Sequence, residues 1–142
     1  MMDRRLYRCN GRVAHSSLIG TVNGVAFCDG EARSITAPVA NLHAAPDGAL
    51  DRQLIHGDGF SVLEDREGWS FGYAEPSGYV GYVLSSDLGM PVTVTHKVAT
   101  IGAHVYPTRS IKTVPVRALP FGAGVSGTES VDGFWSVEGG FI

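Results

Sequence analysis

The chain is poor in cysteine, and it has no long hydrophobic run and no strong net charge. Its two cysteines, Cys9 and Cys28, follow no export signal, so we predict free thiols rather than a disulfide. No apolar stretch approaches the length of a membrane span, so no membrane partner is expected and the cytoplasm is the expected location. The net charge of −3 argues against a nucleic-acid partner.

The residue patterns of catalytic and metal sites are also missing. The five histidines show none of the spacings typical of metal ligands, so we expect no metal and no other cofactor. A cysteine peptidase needs a thiolate beside a histidine, commonly at a helix N-terminus. No helical pattern follows Cys9 or Cys28, and catalysis by either one with His15 is a distant alternative. We therefore expect no catalytic residue in this chain.

Two features that look like binding motifs have simpler structural interpretations. Arg4, Arg5, Arg8 and Arg12 form the only local cluster of basic residues, and we interpret it as a solvated arm because phosphate binding usually needs a broader basic face. Residues 122–127 match GxGxxG. No helix is predicted to follow that segment, so we do not interpret it as a nucleotide site.

What the sequence does contain is a pattern of short apolar segments that occurs twice. Nineteen glycines and seven prolines punctuate the segments, and no window shows sustained helical periodicity. Each copy has an apolar pair, a turn glycine and an aromatic residue in the same order. Each then ends in a segment with a glycine, an aromatic residue and a β-branched residue. The first copy comprises 42–46, 54–57, 62–63, 68–69 and 78–83, and the second comprises 105–107, 119–122, 125, 133–135 and 140–142.

Local signals in the first copy predict a hairpin and a helical turn. Residues 61–64 and 69–73 flank a polar segment that ends at Gly68, which is typical of a β-hairpin. Residues 85–88 are compatible with a single helical turn. Gly89-Met90-Pro91 is the predicted boundary between the two copies.

These patterns predict an all-β chain of two small units, each a barrel or a sandwich, behind a short N-terminal β arm. The arm covers residues 1–34, where short apolar groups are interrupted by glycines, and it is expected to lie over a neighbouring unit. Residues 35–90 form the first unit and residues 91–142 the second. The second copy has a shorter closing segment, so we expect its barrel to be incomplete at the C-terminal side.

The first copy resembles a bacterial SH3 (SH3b) domain. The resemblance is carried by the order of Leu42, Pro46, Leu54 and Gly57, followed by 62–63, Gly68-Trp69 and 78–83. More narrowly, the chain resembles the paired SH3b domains that precede the catalytic domain of NlpC/P60 cysteine peptidases of the dipeptidyl-peptidase or γ-D-glutamyl-L-diamino-acid endopeptidase type. This resemblance implies two tandem SH3-like β-barrels. The catalytic cysteine and histidines of those peptidases have no counterpart in residues 1–142.

The resemblance also implies a role for Tyr79. In the resembling peptidases, the matching tyrosine faces the active-site cleft and helps to hold the free amino end of a peptide stem. A phenol oxygen can accept a hydrogen bond from an ammonium group, and a carboxylate nearby would strengthen the contact. Asp47 and Asp58 are the candidate carboxylates. The alternative is that Tyr79 is only a packing residue.

The function implied is a non-catalytic substrate-recognition and targeting region of an NlpC/P60 peptidase that acts on murein peptides during cell-wall recycling in the cytoplasm. Its expected partners are a murein stem peptide with a free N-terminal L-Ala and a catalytic NlpC/P60 domain in the parent chain. The alternative is a free-standing SH3-like module that binds cell-wall peptides or a protein partner.

Overall fold

The computed structural model describes residues 3–75, 77–129 and 131–142, and they fold into strands and turns. The helical segments in these residues are single 3-10 turns, and none is long or apolar enough to cross a membrane. The all-β prediction is confirmed. The 3-10 turns are η1 (Arg4–Leu6), η2 (Ser16–Leu18), η3 (Ser85–Asp87) and η4 (Val131–Gly133).

A seven-stranded antiparallel sheet forms the first unit, and its strand order is β5-β4-β8-β7-β6-β3-β9. Among the described residues, the outer strands β5 and β9 do not pair with each other, so the sheet is open rather than a closed barrel. The tandem-barrel detail therefore remains a prediction. The strands are β3 (Glu31–Ile35), β4 (Val39–His43), β5 (Leu50–Ile55), β6 (Gly59–Arg66), β7 (Trp69–Glu75), β8 (Val80–Leu84) and β9 (Leu88–Gly89).

The predicted hairpin joins β6 to β7. Arg66 pairs with Trp69, so Glu67 and Gly68 alone form the turn. Both have positive φ, 53° and 84°, as a two-residue turn between right-twisted antiparallel strands requires. The helical turn predicted at 85–88 is also present, as η3.

The sheet buries apolar side chains on both of its faces. Val83 belongs to the main core, against which Tyr79 packs, whereas Val80 belongs to a smaller cluster with Tyr82 beside it. This split is the one expected from side-chain alternation along a strand. The main core comprises Ile35, Ala40, Leu42, Leu54, Phe60, Ala74 and Val83, and the smaller cluster comprises Leu63, Phe71, Tyr73 and Val80.

The N-terminal arm covers the smaller cluster. Its strands β1 (Val13–His15) and β2 (Ala26–Cys28) pair in parallel, and side chains of both pack against the cluster. Both cysteines are free thiols. The sheet strand β3 begins at Glu31, inside the segment predicted to be the arm.

The basic cluster of the arm is bound to the first unit. Arg4 and Arg12 form ion pairs with carboxylates of β5 and β6 at 2.9 and 2.7 Å. The Arg8 guanidinium lies 3.7 Å from the ring centroid of Tyr73. The arm is therefore attached to the first unit, although Arg4, Arg5 and Arg12 remain exposed to solvent and Arg5 pairs with the neighbouring Asp3.

The second unit consists of short antiparallel pairs around its own core. Strand β10 pairs with β13, β11 with β12, and β15 with both β14 and β16. Two residues of the GxGxxG segment, Gly124 and Val125, form β13, and the next element is a strand, as expected. The strands are β10 (His96–Lys97), β11 (Gly102–Val105), β12 (Arg117–Pro120), β13 (Gly124–Val125), β14 (Thr128–Glu129), β15 (Trp135–Val137) and β16 (Gly140–Phe141), and the core comprises Val98, Val105, Leu119, Ala123, Val125 and Val137.

The two units meet at His56 and Gly124. The amide of Gly124 donates to the His56 carbonyl at 2.7 Å, and Nδ1 of the buried His56 ring lies 2.8 Å from the Gly124 carbonyl oxygen. A Cβ on Gly57 would come within 2.4 Å of that oxygen. Glycine at position 57 therefore allows the close backbone contact between the units.

Candidate functional site

An open cleft of about 430 Å³ lies on the first unit, between the loop 44–49 and the β6–β7 turn. Trp69 and Tyr82 supply its aromatic surface, and the arm contributes one charged side chain. The lining residues are Arg12, Pro46, Asp47, Glu64, Arg66, Glu67, Trp69 and Tyr82. Five of these eight lining residues are charged, so the cleft combines aromatic surface with a mainly polar lining.

Trp69 is half-buried in the cleft. Its ring meets His43 edge to face, with centroids 5.4 Å apart and an interplanar angle of 88°, a favourable geometry for aromatic pairs. Nδ1 of His43 lies 3.0 Å from the Gly48 carbonyl oxygen, which ties the histidine to the loop 44–49. Trp69 is therefore held in place by the same loop that forms one side of the cleft.

Glu64 and Tyr82 connect the cleft to the arm. Arg12 donates to both carboxylate oxygens of Glu64, through Nε at 3.0 and 3.2 Å and through Nη2 at 2.7 Å. Nδ2 of Asn10 donates to Glu64 at 3.0 Å and to the Tyr82 phenol oxygen at 3.1 Å. Hydrogen bonds from Arg12 lower the pKa of Glu64, and those from Asn10 add to this, against the opposing effect of burial.

The same asparagine shapes the arm. Oδ1 of Asn10 accepts hydrogen bonds from the amides of Arg12 and Val13, both at 3.0 Å. These bonds form a local turn typical of asparagine. Because the turn fixes Arg12, it also orients the guanidinium toward Glu64. The arm is therefore a structural wall of the cleft.

Two acidic residues of the cleft have left-handed backbone conformations. Asp47 has φ 55° and Glu67 has φ 53°, and among the described residues only one other non-glycine residue has positive φ. Both side chains are exposed, and within the described chain neither carboxylate forms an ion pair. Non-glycine residues in this conformation cost about 1–3 kcal/mol and concentrate at functional sites.

A second cleft of about 220 Å³ lies on the other side of Tyr82. The residues that line it come from the arm, from the loop 44–49 and from strands β7 and β8. They are Arg4, Tyr7, Cys9, Asn10, Ala44, Ala45, Phe71, Val80, Gly81 and Tyr82. Desolvation raises the pKa of the Tyr7 phenol, and the neighbouring Cys9 adds to the effect.

The predicted ligand-contacting residue Tyr79 lies between basic side chains. The guanidinium carbons of Arg52 and Arg5 lie 4.5 and 5.8 Å from its ring centroid. Nearby, Arg4 donates two hydrogen bonds to Asp51 at 2.9 and 3.0 Å, which lowers the pKa of that carboxyl group. Tyr79 is half-buried and also packs on the main core, so its ring has a packing role.

The two candidate carboxylates lie in different surroundings. Asp47 lines the cleft beside Trp69. Asp58 lies in the β5–β6 turn, where its Oδ2 accepts a hydrogen bond from the Ile55 amide at 3.0 Å. Asp58 also lines a separate cleft between the two units. Tyr79, Asp47 and Asp58 thus occupy three distinct environments.

Sequence reasoning missed the network of Asn10, Arg12 and Glu64. Arg12 and Asn10 contact Glu64 across 52 and 54 positions of sequence, and no local pattern marks such a contact. Glu67 was detectable in principle, because a two-residue hairpin turn requires positive φ before Gly68.

The remaining candidate catalytic side chains, Cys28 and His15, form hydrogen bonds within the fold. The Cys28 thiol donates to the Leu63 carbonyl oxygen at 3.5 Å. His15 is the register partner of Cys28, but its Nδ1 contacts the Ser17 hydroxyl at 2.8 Å and accepts from the Ser17 amide at 3.1 Å. Among the described residues, no three His, Cys, Asp or Glu side chains cluster as metal ligands would.

Residues 42–88 match the family model of the bacterial dipeptidyl-peptidase Sh3 domain. The matched segment runs from within β4 to the start of β9 and contains Asp47, Trp69, Tyr79 and Tyr82. The resemblance of the first copy to a bacterial SH3 domain is confirmed. No curated protein matches the chain.

Among solved structures, an NlpC/P60 family protein from Bacillus cereus ATCC 10987 has a similar fold. It is 14% identical, with a TM-score of 0.59 over 78% of this chain and 52% of that one. Two proteins from Trichomonas vaginalis, NlpC2 and NlpC1, are 15% and 13% identical, cover 79% and 99% of this chain and 44% and 47% of theirs, and have TM-scores of 0.37 and 0.38, too low to establish a shared fold. The chain spans about half the length of these structures.

Proposed function

We propose that this chain is a non-catalytic recognition region of an NlpC/P60 cysteine peptidase, in which the SH3 unit holds a peptide for a catalytic domain elsewhere in the parent protein. The match of residues 42–88 to a dipeptidyl-peptidase SH3 domain supports the proposal that this chain is a recognition region of such a peptidase. The fold shared with an NlpC/P60 protein, of which this chain covers 52%, supports the placement of a catalytic domain elsewhere in the parent protein.

The observation that carries the proposal is the cleft in which Trp69 lies with Asp47 and Glu67. An ammonium group over an indole ring gains a cation–π interaction, and two carboxylates add charge-assisted hydrogen bonds. Because Arg12 is neutralised by Glu64, it competes little for those carboxylates. The three carboxylates and two guanidinium groups of the cleft leave it with a net charge of −1, which suits a ligand with a free amine.

The substrate we propose is a murein stem peptide with a free N-terminal L-Ala. The parent enzyme of this chain would hydrolyse the γ-D-Glu–diamino-acid bond of that peptide during cell-wall recycling in the cytoplasm. The ammonium group of L-Ala would lie over Trp69. Tyr79 remains the contact predicted from the resemblance, although the guanidinium groups of Arg5 and Arg52 around it favour an anionic partner.

A titration of the chain with L-Ala-γ-D-Glu-meso-diaminopimelate tests the proposal. With ¹⁵N-labelled protein, we expect NMR shifts at the Trp69 indole and at the amides of Asp47 and Glu67. Asp47→Asn and Glu67→Gln should each weaken binding about tenfold. Glu75→Gln, an exposed change outside the cleft, is the matched control.

The N-acetylated form of the same peptide separates amine recognition from general peptide binding. Blocking the amine removes the positive charge, so the acetylated peptide should bind at least about tenfold more weakly. Equal affinity for both peptides, or titration shifts that avoid the Trp69 cleft, would contradict the proposed site.

The second candidate function is a free-standing module that binds cell-wall peptides or a protein partner through the same cleft. The reading frame of the gene beyond Ile142 distinguishes a peptidase region from a free-standing module. A frame that continues into a cysteine-containing domain supports the peptidase, whereas a stop codon with a folded monomer supports the module. Should the chain show any hydrolysis, alkylation of Cys9 and Cys28 tests whether it depends on either thiol.

A further inference from the structure

Among the described residues, Arg66 is the only arginine whose side chain has no partner. The other eight of the nine arginines form an ion pair, donate to a carbonyl oxygen or lie over an aromatic ring. The Arg66 side chain is exposed and lines the cleft beside Trp69. A charged group of this cleft is therefore left over after folding, and the amine contact with Trp69 does not use it.

The alternation of side chains along β6 places Arg66 in this cleft. Glu64 and Arg66 both line it, because residues two apart on a strand share a face. Asp65, which lies between them, lines a separate polar cleft and accepts a hydrogen bond from the Ser85 hydroxyl at 2.9 Å. Arg66 is also the register partner of Trp69, next to the two-residue turn of the hairpin. Its guanidinium group therefore extends from a backbone position directly beside the aromatic surface.

The nearest carboxylate on the same strand face, Glu64, is already occupied. It accepts three hydrogen bonds from Arg12 and one from Asn10. Hydrogen bonds from Arg12 are the chief cause of the lowered pKa of Glu64, and the positive charge of Arg66 adds to it. The Arg66 guanidinium group is therefore within electrostatic range of Glu64, while the hydrogen bonds of Glu64 go to the arm.

The remaining charges of the cleft have both signs. Asp47 lies on the loop 44–49, and Arg66 and Glu67 lie at the β6–β7 turn. Within the described part of the chain, neither of these carboxylates forms an ion pair with Arg66. A ligand with only an ammonium group would leave the guanidinium group unpaired beside it, with like charges close together. The matching ligand carries an ammonium group and a carboxylate a short distance apart.

We infer that Arg66 determines the specificity of this cleft for the second residue of the peptide. Its guanidinium group binds the free α-carboxylate of a γ-linked D-Glu while the amino end lies over Trp69, a role that rests on the proposed function because the cleft and the peptide are the same.

The γ-linkage decides where the carboxylate lies. In L-Ala-γ-D-Glu it is attached to the carbon that follows the L-Ala amide nitrogen, close to the amine. In the α-linked isomer the free carboxylate is that of the side chain, and it lies two methylene groups farther away. A guanidinium group binds a carboxylate through two parallel hydrogen bonds, so the contact is sensitive to this displacement. Arg66 therefore distinguishes the γ-linked peptide from its α-linked isomer.

Two peptides that differ in one group test the role of Arg66. The first is L-Ala-γ-D-Glu-meso-diaminopimelate, and in the second the α-carboxylate of D-Glu is replaced by a carboxamide. Both keep the free amine, so both should shift the NMR signal of the Trp69 indole. The carboxamide peptide should bind about tenfold more weakly, because the charge-assisted hydrogen bonds are lost. The α-linked isomer of the first peptide should bind more weakly by about the same factor.

Variants at position 66 assign the difference to the guanidinium group. Arg66→Gln should bind the carboxylate peptide about tenfold more weakly and the carboxamide peptide with no loss of affinity. Arg66→Lys keeps the charge but not the paired donors, so it should retain only part of the discrimination. Arg109→Gln, at an exposed arginine of the second unit, is the matched control. Both Arg66 variants should keep the melting temperature of the wild type, because the side chain is exposed.

The outcomes separate this role from the proposed function. Equal affinity of the wild type for the carboxylate and carboxamide peptides, with Trp69 shifted by both, overturns the role of Arg66 and leaves amine recognition standing. Discrimination that persists in Arg66→Gln also overturns it, because another group must then bind the carboxylate. If neither peptide shifts Trp69, the proposed function fails and the role of Arg66 fails with it. The comparison of the peptides on the wild type needs no variant.

Discussion

Nδ2 of Asn10 donates a hydrogen bond to the phenol oxygen of Tyr82 at 3.1 Å, across 72 positions of sequence. The same nitrogen donates to Glu64, which Arg12 holds from the other side. Tyr82 separates the two clefts of the first unit. The N-terminal arm therefore forms part of the candidate site, and changes in the arm should affect both stability and binding.

Replacing Glu64 with glutamine should loosen the arm. The change leaves the guanidinium group of Arg12 without its carboxylate partner and weakens the bond from Asn10. We expect the free energy of unfolding to fall by about 1–2 kcal/mol in urea denaturation. Glu129→Gln, at an exposed position of the second unit, should have little effect. Similar losses from both variants would contradict this role for Glu64.

The stabilisation from Glu64 should depend on pH. Its pKa in the folded chain is lowered from the ordinary value of 4.5, chiefly by hydrogen bonds from Arg12. A lowered folded pKa contributes stability above the unfolded pKa, and this contribution is lost as the pH falls through the folded value. The difference in unfolding free energy between wild type and Glu64→Gln should therefore be constant near neutral pH and shrink below 4.5. Urea titrations across this range measure it, and a constant difference would refute the assignment.

Trp69→Ala should destabilise the first unit by about 1–3 kcal/mol, less than the 3–5 expected for a fully buried aromatic ring. The ring is half-buried and contacts His43 edge to face. The same variant should lose binding of the amine peptide, because the cation–π surface is removed. Thermal unfolding and peptide titration report the two effects separately. A variant that keeps full peptide affinity would show that Trp69 does not contact the ligand.

Tyr79→Phe tests the contact predicted from the family resemblance. The change removes only the phenol oxygen and keeps the ring that stacks on Arg52, so the unfolding free energy should stay the same. If the phenol holds the amino end of the peptide, turnover of free-amino stem peptides by the proposed parent peptidase should fall about two- to tenfold. Unchanged kinetics would leave Tyr79 with its packing role alone.

Local features were well predicted from the sequence. The hairpin around Glu67 and Gly68, the helical turn at 85–88 and the alternation of Val80 and Val83 between two clusters depend on backbone preferences and on a period of two residues. The twofold pattern correctly aligned Gly57 with Gly122. The pairs Gly68-Trp69 and Gly133-Phe134 also correspond, because Trp135 lies opposite Ile142 as Ser70 lies opposite Val83.

Contacts between distant segments were not predictable in this way. The partners of the arm's arginines, among them Asp51 and Glu64, carry no local signal of the pairing. Ion-pair partners depend on which strands become neighbours, and the pattern of a single segment does not contain that information.

The sequence by itself determined the all-β character, the repeated unit and the turns, because these follow from glycine conformations, side-chain alternation and short-range hydrogen bonding. Only the tertiary structure decided what surrounds each functional candidate. It brought Asp47 and Glu67 to one cleft with Trp69 and placed Tyr79 between Arg5 and Arg52. The physical reason is that electrostatic environment and accessibility are properties of packing between elements, which folding creates and no single segment encodes.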